Sequence, residues 1–280
     1  MKTCEKIRAA IILTVLALFV GTLSGCKNSD PDSVNTPTSD MEDTVAPDTA
    51  SVTIAGQTFL ADTTEVVLSD MGISDISPLS ALSGLVTLEM GNNNISNISP
   101  LSALSGLITL EMGNNNISDI SPLSSLDILT YLNLNDNQIS DISPLGTINS
   151  LVSVELARNN VSDITVLGYQ KRLWRLDLSD NQVSDLTPLG AISEVKLLYL
   201  ANNNISDVTP LTSLKNLYFL DLSGNNITDI TPLLSLNGSE AEADDDIETI
   251  ITRLTLSGNP LTEQQIGALQ EALPDCEIVF

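Results

Sequence analysis

Ile73-Ser74-Asp75-Ile76-Ser77-Pro78-Leu79 opens a phrase that returns, with small changes, from Ile95, Ile117, Ile139, Val161, Val183, Ile205 and Ile227. Each start lies 22 residues after the one before. A fixed period of that length is the mark of stacked supersecondary units. No unit buries its apolar face alone, and each covers the next. The fold class read from this register is an α/β repeat, a solenoid with one strand and one short turn per coil.

One coil shows how the residues dictate that shape. In Leu85-Val86-Thr87-Leu88-Glu89-Met90-Gly91-Asn92-Asn93-Asn94-Ile95, Leu88 and Met90 alternate with Thr87, Glu89 and Gly91. Period-two alternation predicts a strand with one apolar and one polar flank. Strands are expected at Leu68, Met90, Met112, Leu134, Leu156, Leu178, Leu200, Leu222 and Leu256. Nine parallel strands at ~4.8 Å spacing give a sheet roughly 40 Å long.

Asn93 turns the chain after the strand, and Asn115, Asn137, Asn159, Asn181, Asn203, Asn225 and Asn259 repeat it. A carboxamide both donates and accepts, so a buried Asn column can serve turn backbone groups layer after layer. Only the first layer departs, with Met71 in that place. On the return leg Ser99-Pro100 reads as an N-cap followed by Pro at the first helical position. Ser77-Pro78, Ser121-Pro122, Ser143-Pro144, Thr187-Pro188, Thr209-Pro210 and Thr231-Pro232 repeat it. Each predicts a short 3₁₀ or α turn, with Leu101, Leu104 and Leu107 and their counterparts returning to the core.

This pattern is similar to the leucine-rich repeats of the internalin type, with their LxxLxLxxNxIxDIxPL spacing, over about residues 62–261. The resemblance implies a parallel sheet on a concave face, 3₁₀ or α turns on a convex one, and a receptor-binding role. It also implies a following immunoglobulin-like module and a wall-sorting signal. Neither is expected here, so that family's invasion role is not carried over.

The ends read as caps. Residues 51–65 supply Ile54, Phe59 and Leu60 as apolar cover, and the repeats run over 66–261. At 262–280, Thr262 with Gln265 fits a capping box. Ile266, Leu269 and Leu273 make one helical stripe. Pro274 stops the helix, and residues 277–280 can add a last strand. Cys276 is expected to pack there as a small hydrophobe. The interval from Ile227 to Leu261 is 34 rather than 22, an acidic insert of 12 near 237–248. It has no EF-hand spacing and reads as a solvated excursion.

The first residues read as an address. Lys2, Lys6 and Arg8 precede an uncharged apolar run from Ala9 to Gly21, too short for a comfortable membrane span. Leu23-Ser24-Gly25-Cys26 follows and resembles the lipobox of bacterial lipoproteins. That likeness implies a signal peptide over 1–25, cleavage before Cys26, and lipid attachment to Cys26. Residues 26–50, rich in Asp, Ser, Thr and Pro, then read as a disordered tether. The localisation expected is extracytoplasmic, lipid-anchored to the cell membrane.

Composition narrows the function. The 280 residues are 42% hydrophobic but 3% aromatic, which suits thin layers of Leu and Ile. The formal charge of −25 argues against nucleic acid and against direct adhesion to anionic lipid. There is no histidine, which removes Ser-His triads, Cys-His dyads and His-ligated zinc. An acid–base pair such as Glu89 and Glu111 would lie on an open sheet with no cleft to exclude water. The chain is therefore read as a non-enzyme without cofactor or metal, and as a monomer.

Function is sought on the outward flank of the strands. One column there reads Val67, Glu89, Glu111, Asn133, Glu155, Asp177, Tyr199, Asp221 and Thr255. Neighbours in such a column stand ~5 Å apart, so Glu89–Glu111 and Glu155–Asp177 repel. The acidic column Glu89, Glu111 and Glu155 is either a track for a basic ligand or a solvated face that resists aggregation. A second zone holds six of the eight cations left after cleavage: Arg158, Lys171, Arg172, Arg175, Lys196 and Lys215, the others being Lys27 and Arg253. There Val166 replaces the usual Pro, Gln170 replaces a core Leu, and Trp174, the single Trp, joins Tyr169, Tyr199, Tyr218 and Phe219. Register sets Trp174, Lys196 and Tyr218 in one column with Arg175, Leu197 and Phe219 beside it.

The candidate ligand patch on the concave face is Trp174, Arg175, Asp177, Lys196, Tyr199, Tyr218, Phe219 and Asp221, because exposed aromatic and Arg side chains make interface hot spots. The expected partner is a protein or glycan, with the membrane reached through Cys26. The competing reading is a structural envelope lipoprotein without a discrete ligand. Asp75, Asp119, Asp141, Asp163, Asp185, Asp207 and Asp229, with Asn97 in the second coil, form a further ladder two residues before each Ser or Thr. It reads as turn stabilisation, with calcium as the alternative.

Overall fold

The computed structural model describes residues 51–236 and 251–280. The expected signal peptide, Cys26, the tether to residue 50 and the acidic insert near 237–248 lie outside the described residues. The chain opens with an antiparallel hairpin, β1 (Ser51–Ile54) and β2 (Gln57–Leu60). Its turn residues Ala55 and Gly56 both have positive φ, 50° and 80°, the geometry that matches the twist of a two-residue hairpin loop. Ile54 is buried and Phe59 packs against the core, but Leu60 is exposed and gives no cover.

Ten parallel strands follow in chain order: β3 (Glu65–Val67), β4 (Thr87–Glu89), β5 (Thr109–Glu111), β6 (Tyr131–Asn133), β7 (Ser153–Glu155), β8 (Arg175–Asp177), β9 (Leu197–Tyr199), β10 (Phe219–Asp221), β11 (Arg253–Thr255) and β12 (Glu277–Val279). Each is three residues long, and β3 to β11 end just before the Leu or Met at which the alternation places them. The ladder nonetheless runs on: the Met90 N–H donates to Glu111 O at 2.7 Å and that of Asn92 to Gly113 O at 2.9 Å. The middle residue of each strand and the Leu or Met after it both face the core. In the second coil Leu88, Met90, Ile95, Ile98, Leu101, Leu104 and Leu107 are all buried. Each such side chain contributes about 1.5–3 kcal/mol.

The Asn column holds successive coils together. Asn115 Oδ1 accepts the Ile95 N–H at 3.0 Å, while Nδ2 donates to Met90 O and Met112 O, both at 3.0 Å. The same pattern recurs from Asn93 to Asn259. Asn259 still reaches Ile227 N (3.0 Å) and Leu222 O (2.8 Å), so the coil closes across the longer interval. Next to this column Asn92, Asn114, Asp136, Arg158, Asp180 and Asn202 all hold φ between 54° and 57°. Asn and Asp accept that left-handed geometry at least cost. Arg158 is the exception, and its guanidinium pairs with Asp136 one coil back.

Eight 3₁₀ turns, from Ser77–Ala81 to Thr231–Ser235, line the opposite side among the described residues. The Ser or Thr is the first residue of each turn rather than its N-cap, which is an aliphatic residue such as Ile76, Ile98 or Ile164 with no capping side chain. The acceptor is the residue two before: Asp75, Asn97, Asp119, Asp141, Asp163, Asp185, Asp207 and Asp229 each take its N–H at 2.8–2.9 Å. The ladder is therefore one of turn-closing acceptors. Val166 is accommodated where Pro stands elsewhere because residue 146 is Gly, whose Cβ would lie 2.6 Å from Val166 Cγ2.

These hydrogen bonds hold the seven carboxyls below the ordinary value of 3.8. The Ser N–H leads for Asp75, Asp119 and Asp141, and the Thr hydroxyl for Asp163, Asp185, Asp207 and Asp229. A folded pKa below the unfolded one adds stability above that unfolded value, and the gain is lost as pH falls through the lowered ones. Asn97 performs the same task uncharged. Replacing Asp119, Asp141 and Asp163 together by Asn is expected to leave stability at neutral pH unchanged and to move the acid-unfolding midpoint, followed by circular dichroism, to lower pH. An unmoved midpoint would show that these carboxylates do not govern acid sensitivity.

The C-terminal cap is as the residues predict. Helix α1 (Glu263–Ala272) starts with a capping box in which Thr262 accepts from the Gln265 N–H, and Ile266 and Leu269 are buried. β12 then pairs with β11. Cys276 packs against the core, and burial pushes its thiol up to about 11, so it is inert as a nucleophile at neutral pH.

Candidate binding face

Direct strand pairing puts Val67, Glu89, Glu111, Asn133, Glu155, Asp177, Tyr199, Asp221 and Thr255 in one column. A second outward column runs Glu65, Thr87, Thr109, Tyr131, Ser153, Arg175, Leu197, Phe219 and Arg253. Just before the strands, Lys196 N–H donates to Trp174 O at 2.9 Å and Tyr218 N–H to Lys196 O at 2.8 Å. The lateral alignment expected of Trp174, Lys196 and Tyr218 therefore holds.

The middle of the face is not a row of solvated charges. Glu155 is only 3% exposed. Its Oε1 receives Arg175 Nε at 3.1 Å and the Tyr131 hydroxyl at 3.4 Å, and its Oε2 receives Asn135 Nδ2 at 2.9 Å. Arg175 also lies 3.8 Å from Asp177 and stacks 4.5 Å above the Tyr199 ring. Tyr199 in turn meets Phe219 at 4.8 Å between ring centroids. The expected Glu155–Asp177 repulsion is thus relieved by the cation between them, and Arg175, covered and doubly paired, is no free hot spot. Burial pushes the Asp177 carboxyl up, against the Ser179 hydrogen bonds and Arg175.

Other expected members scatter. Tyr169 belongs to a 3₁₀ turn on the far side and is exposed there. Lys171 Nζ caps Gly168 O and Ala191 O at 2.8 and 2.7 Å, and Lys215 Nζ caps Ser235 O at 3.2 Å. Arg158 sits on the left-handed edge. Arg175 and Lys196 remain on the sheet side. What the structure does gather is an aromatic group: Trp174, Tyr199 and Phe219 half-buried and Tyr218 exposed. Asp221 is tied to the Ser223 N–H (2.9 Å) and hydroxyl (2.7 Å).

Sequence reasoning missed Tyr131, Asn135 and Ser153, and placed Asn133 in the outward column without assigning it a role. One signal was there to find. Asn133, Asp177 and Asp221 each accept the N–H two residues on, so an acidic or amide residue at strand exit followed two later by a small polar one marks a local turn rather than a ligand contact. Ser153 Oγ, on the outward side of β7, is buried without a hydrogen-bond partner, as is Gln170 Oε1 beneath the turns.

Among the described residues no group of three or more His, Cys, Asp or Glu is placed to hold a metal ion, and no helix is long and apolar enough to cross a membrane. A family model described as leucine-rich repeats (two copies) matches residues 84–125, 105–146, 129–169 and 193–235. No curated protein sequence matches the chain. Among solved structures, internalin C2 of Listeria monocytogenes is 32% identical over 62% of this chain and 76% of that one, with a TM-score of 0.59. An internalin InlF from the same organism is 25% identical over 80% and 83%, with a TM-score of 0.51. The fold alone is shared with the leucine-rich-repeat ectodomain of the Arabidopsis thaliana receptor kinase GASSHO1/SCHENGEN3, solved in complex with CASPARIAN STRIP INTEGRITY FACTOR 2. It is 21% identical over 76% of this chain and 26% of that one, with a TM-score of 0.61. The 22-residue coil, the Asn column and these likenesses lead to one assignment: the chain belongs to the internalin-type leucine-rich-repeat proteins.

Proposed function

We propose that the chain is an extracytoplasmic binding module, anchored through lipid on Cys26, whose concave sheet face receives a protein partner. The observation that carries this is the aromatic group Trp174, Tyr199, Tyr218 and Phe219, gathered at β8–β10 beside a charge cluster in which Arg175 is paired with both Glu155 and Asp177. Large rings that are half-covered and backed by a rigid sheet lose little entropy on contact and dominate interface energies. The bound state of the Arabidopsis receptor ectodomain supports a polypeptide ligand. The leader, the apolar run and Leu23-Ser24-Gly25-Cys26 support the lipid anchor, and residues 26–50 supply the tether.

The test is capture of the partner by immobilised full-length protein. The double variant Trp174→Ala with Phe219→Ala is expected to weaken capture by at least about tenfold, roughly 1.4 kcal/mol. Its far-UV circular dichroism should match that of the parent. Capture equal to the parent's would remove the concave face from the function.

A further inference from the structure

Most of the positive charge among the described residues is engaged within the fold. Arg158 pairs with Asp136, Arg175 with Glu155 and Asp177, and Arg253 with Glu277 at 3.7 Å. Lys171 and Lys215 cap turn carbonyls. The two cations left, Arg172 and Lys196, have neither a carboxylate nor a carbonyl partner among the described residues. Both stand at the aromatic group. Arg172 is exposed two residues before Trp174, and Leu173 between them is buried, so both turn away from the core. Lys196 is half-buried, its backbone bonded to Trp174 on one side and to Tyr218 and Phe219 on the other. The acids of this region are held elsewhere. Asp177 and Asp221 lie at the strand exits, ~10 Å along the chain from the entry residues, and accept the Ser179 and Ser223 N–H at 3.0 and 2.9 Å. Glu194 takes the Ser193 hydroxyl at 3.4 Å.

From these observations we propose that the strand-entry edge of β8–β10, at Arg172 and Lys196, receives an acidic side chain of the protein partner, with an apolar side chain of the same segment seated on Tyr199 and Phe219. The inference rests on the concave-face reading above and assigns the chemistry of what that face takes. Charge complementarity fixes the acidic group. A half-buried ammonium has lost part of its hydration, and a carboxylate replaces that water with a charge-assisted hydrogen bond. The chain's charge of −25 repels anions over most of its surface. The partner therefore presents an isolated carboxylate at this edge rather than a run of them. Register fixes the spacing. The Phe219 N–H donates to Lys196 O at 3.0 Å, so the two residues are one strand apart. In an extended segment the side chains at i and i+2 face the same way, ~6.6 Å apart. A segment with Glu or Asp at i and Phe or Leu at i+2 meets both. A lone inorganic anion meets the cations but not the rings.

The test uses the full chain and a synthetic peptide blocked at both ends, Gly-Ser-Glu-Gly-Phe-Ser-Gly. Controls carry Gln or Lys in place of Glu, or Ala in place of Phe. Trp174 is the single Trp, so its emission reports binding at this edge. The Glu peptide is expected to bind at least about tenfold more tightly than the Gln and Lys versions, and added salt should narrow that difference. Arg172→Gln with Lys196→Gln should bring the Glu and Gln peptides to equal affinity, with far-UV circular dichroism matching the parent's. Phe219→Ala should weaken both peptides. The proposal is overturned if the Glu peptide binds no better than the Gln peptide, if the Lys version binds more tightly, if the double variant keeps the preference, or if no peptide binds. In the first three cases the concave-face reading survives where Phe219→Ala still weakens binding. The capture experiment judges that reading separately.

Discussion

Asn115→Ala is expected to lower the unfolding free energy by about 2–4 kcal/mol, whereas Asn116→Ala, one residue on, should change it by less than about 0.5 kcal/mol. The two residues are chemically identical and adjacent, and geometry alone separates them. Asn115 is buried, and its amide serves the Ile95 N–H and the carbonyls of Met90 and Met112. Removing it leaves the buried Ile95 N–H unpaired, worth about 1–3 kcal/mol, and opens a gap in the column, while Met90 O and Met112 O each lose one of two donors and keep Asn93 Nδ2 and Asn137 Nδ2. Asn116 is exposed, and its contribution to the ladder is its backbone N–H on Ile95 O at 2.8 Å, which Ala retains. Urea titration followed by circular dichroism measures both. Equal effects would mean that the amide column is not what ties coil to coil.

The second large effect belongs to the sheet face. Arg175→Ala is expected to cost about 3–5 kcal/mol, the range found when one partner of a covered ion pair is removed. Both side chains are well shielded, at 16% exposure for Arg175 and 4% for Glu155. The variant removes the Arg175 charge from Glu155, whose neutral donors Tyr131 and Asn135 stay in place, and removes the Arg175 cation from the Tyr199 ring. Pairing Arg175→Met with Glu155→Leu should recover most of the loss, because the penalty comes from the stranded carboxylate rather than from the missing attraction. A loss below about 1 kcal/mol for Arg175→Ala alone would place the pair among solvent-screened surface bridges.

These two cases show where the sequence is legible. The 22-residue period, the Leu ribs, the Asn column, the Asp acceptors and the Thr262 capping box follow from rules that act within one coil or between identical positions of adjacent coils. Repetition displays such rules openly. The face of the sheet obeys no repeat. Arg175 looks like an available hot spot when only its column is considered, because its burial depends on Glu155, Asp177 and Tyr199 meeting it from three strands. Nor does a pattern say which of two polar neighbours closes a turn, and so Ser and Thr stand where a cap is expected while Asp does the capping. Gln170 is similar. Its Nε2 reaches Leu145 O at 2.8 Å, but that carbonyl already accepts the Ile148 N–H at 3.1 Å, and Oε1 is left buried without a partner. No neighbour in the fold explains why Gln stands there.

The Asn column has a consequence for how such a chain can change in length. Asn259 meets the same groups across an interval of 34 residues that Asn115 meets across 22, so the seam closes regardless of how many residues separate its members. Duplication or deletion of whole coils preserves every bond of the seam, and a loop can grow from any turn without breaking it. A gene for this fold can therefore alter its reach, rung by rung, while each surviving rung keeps its geometry.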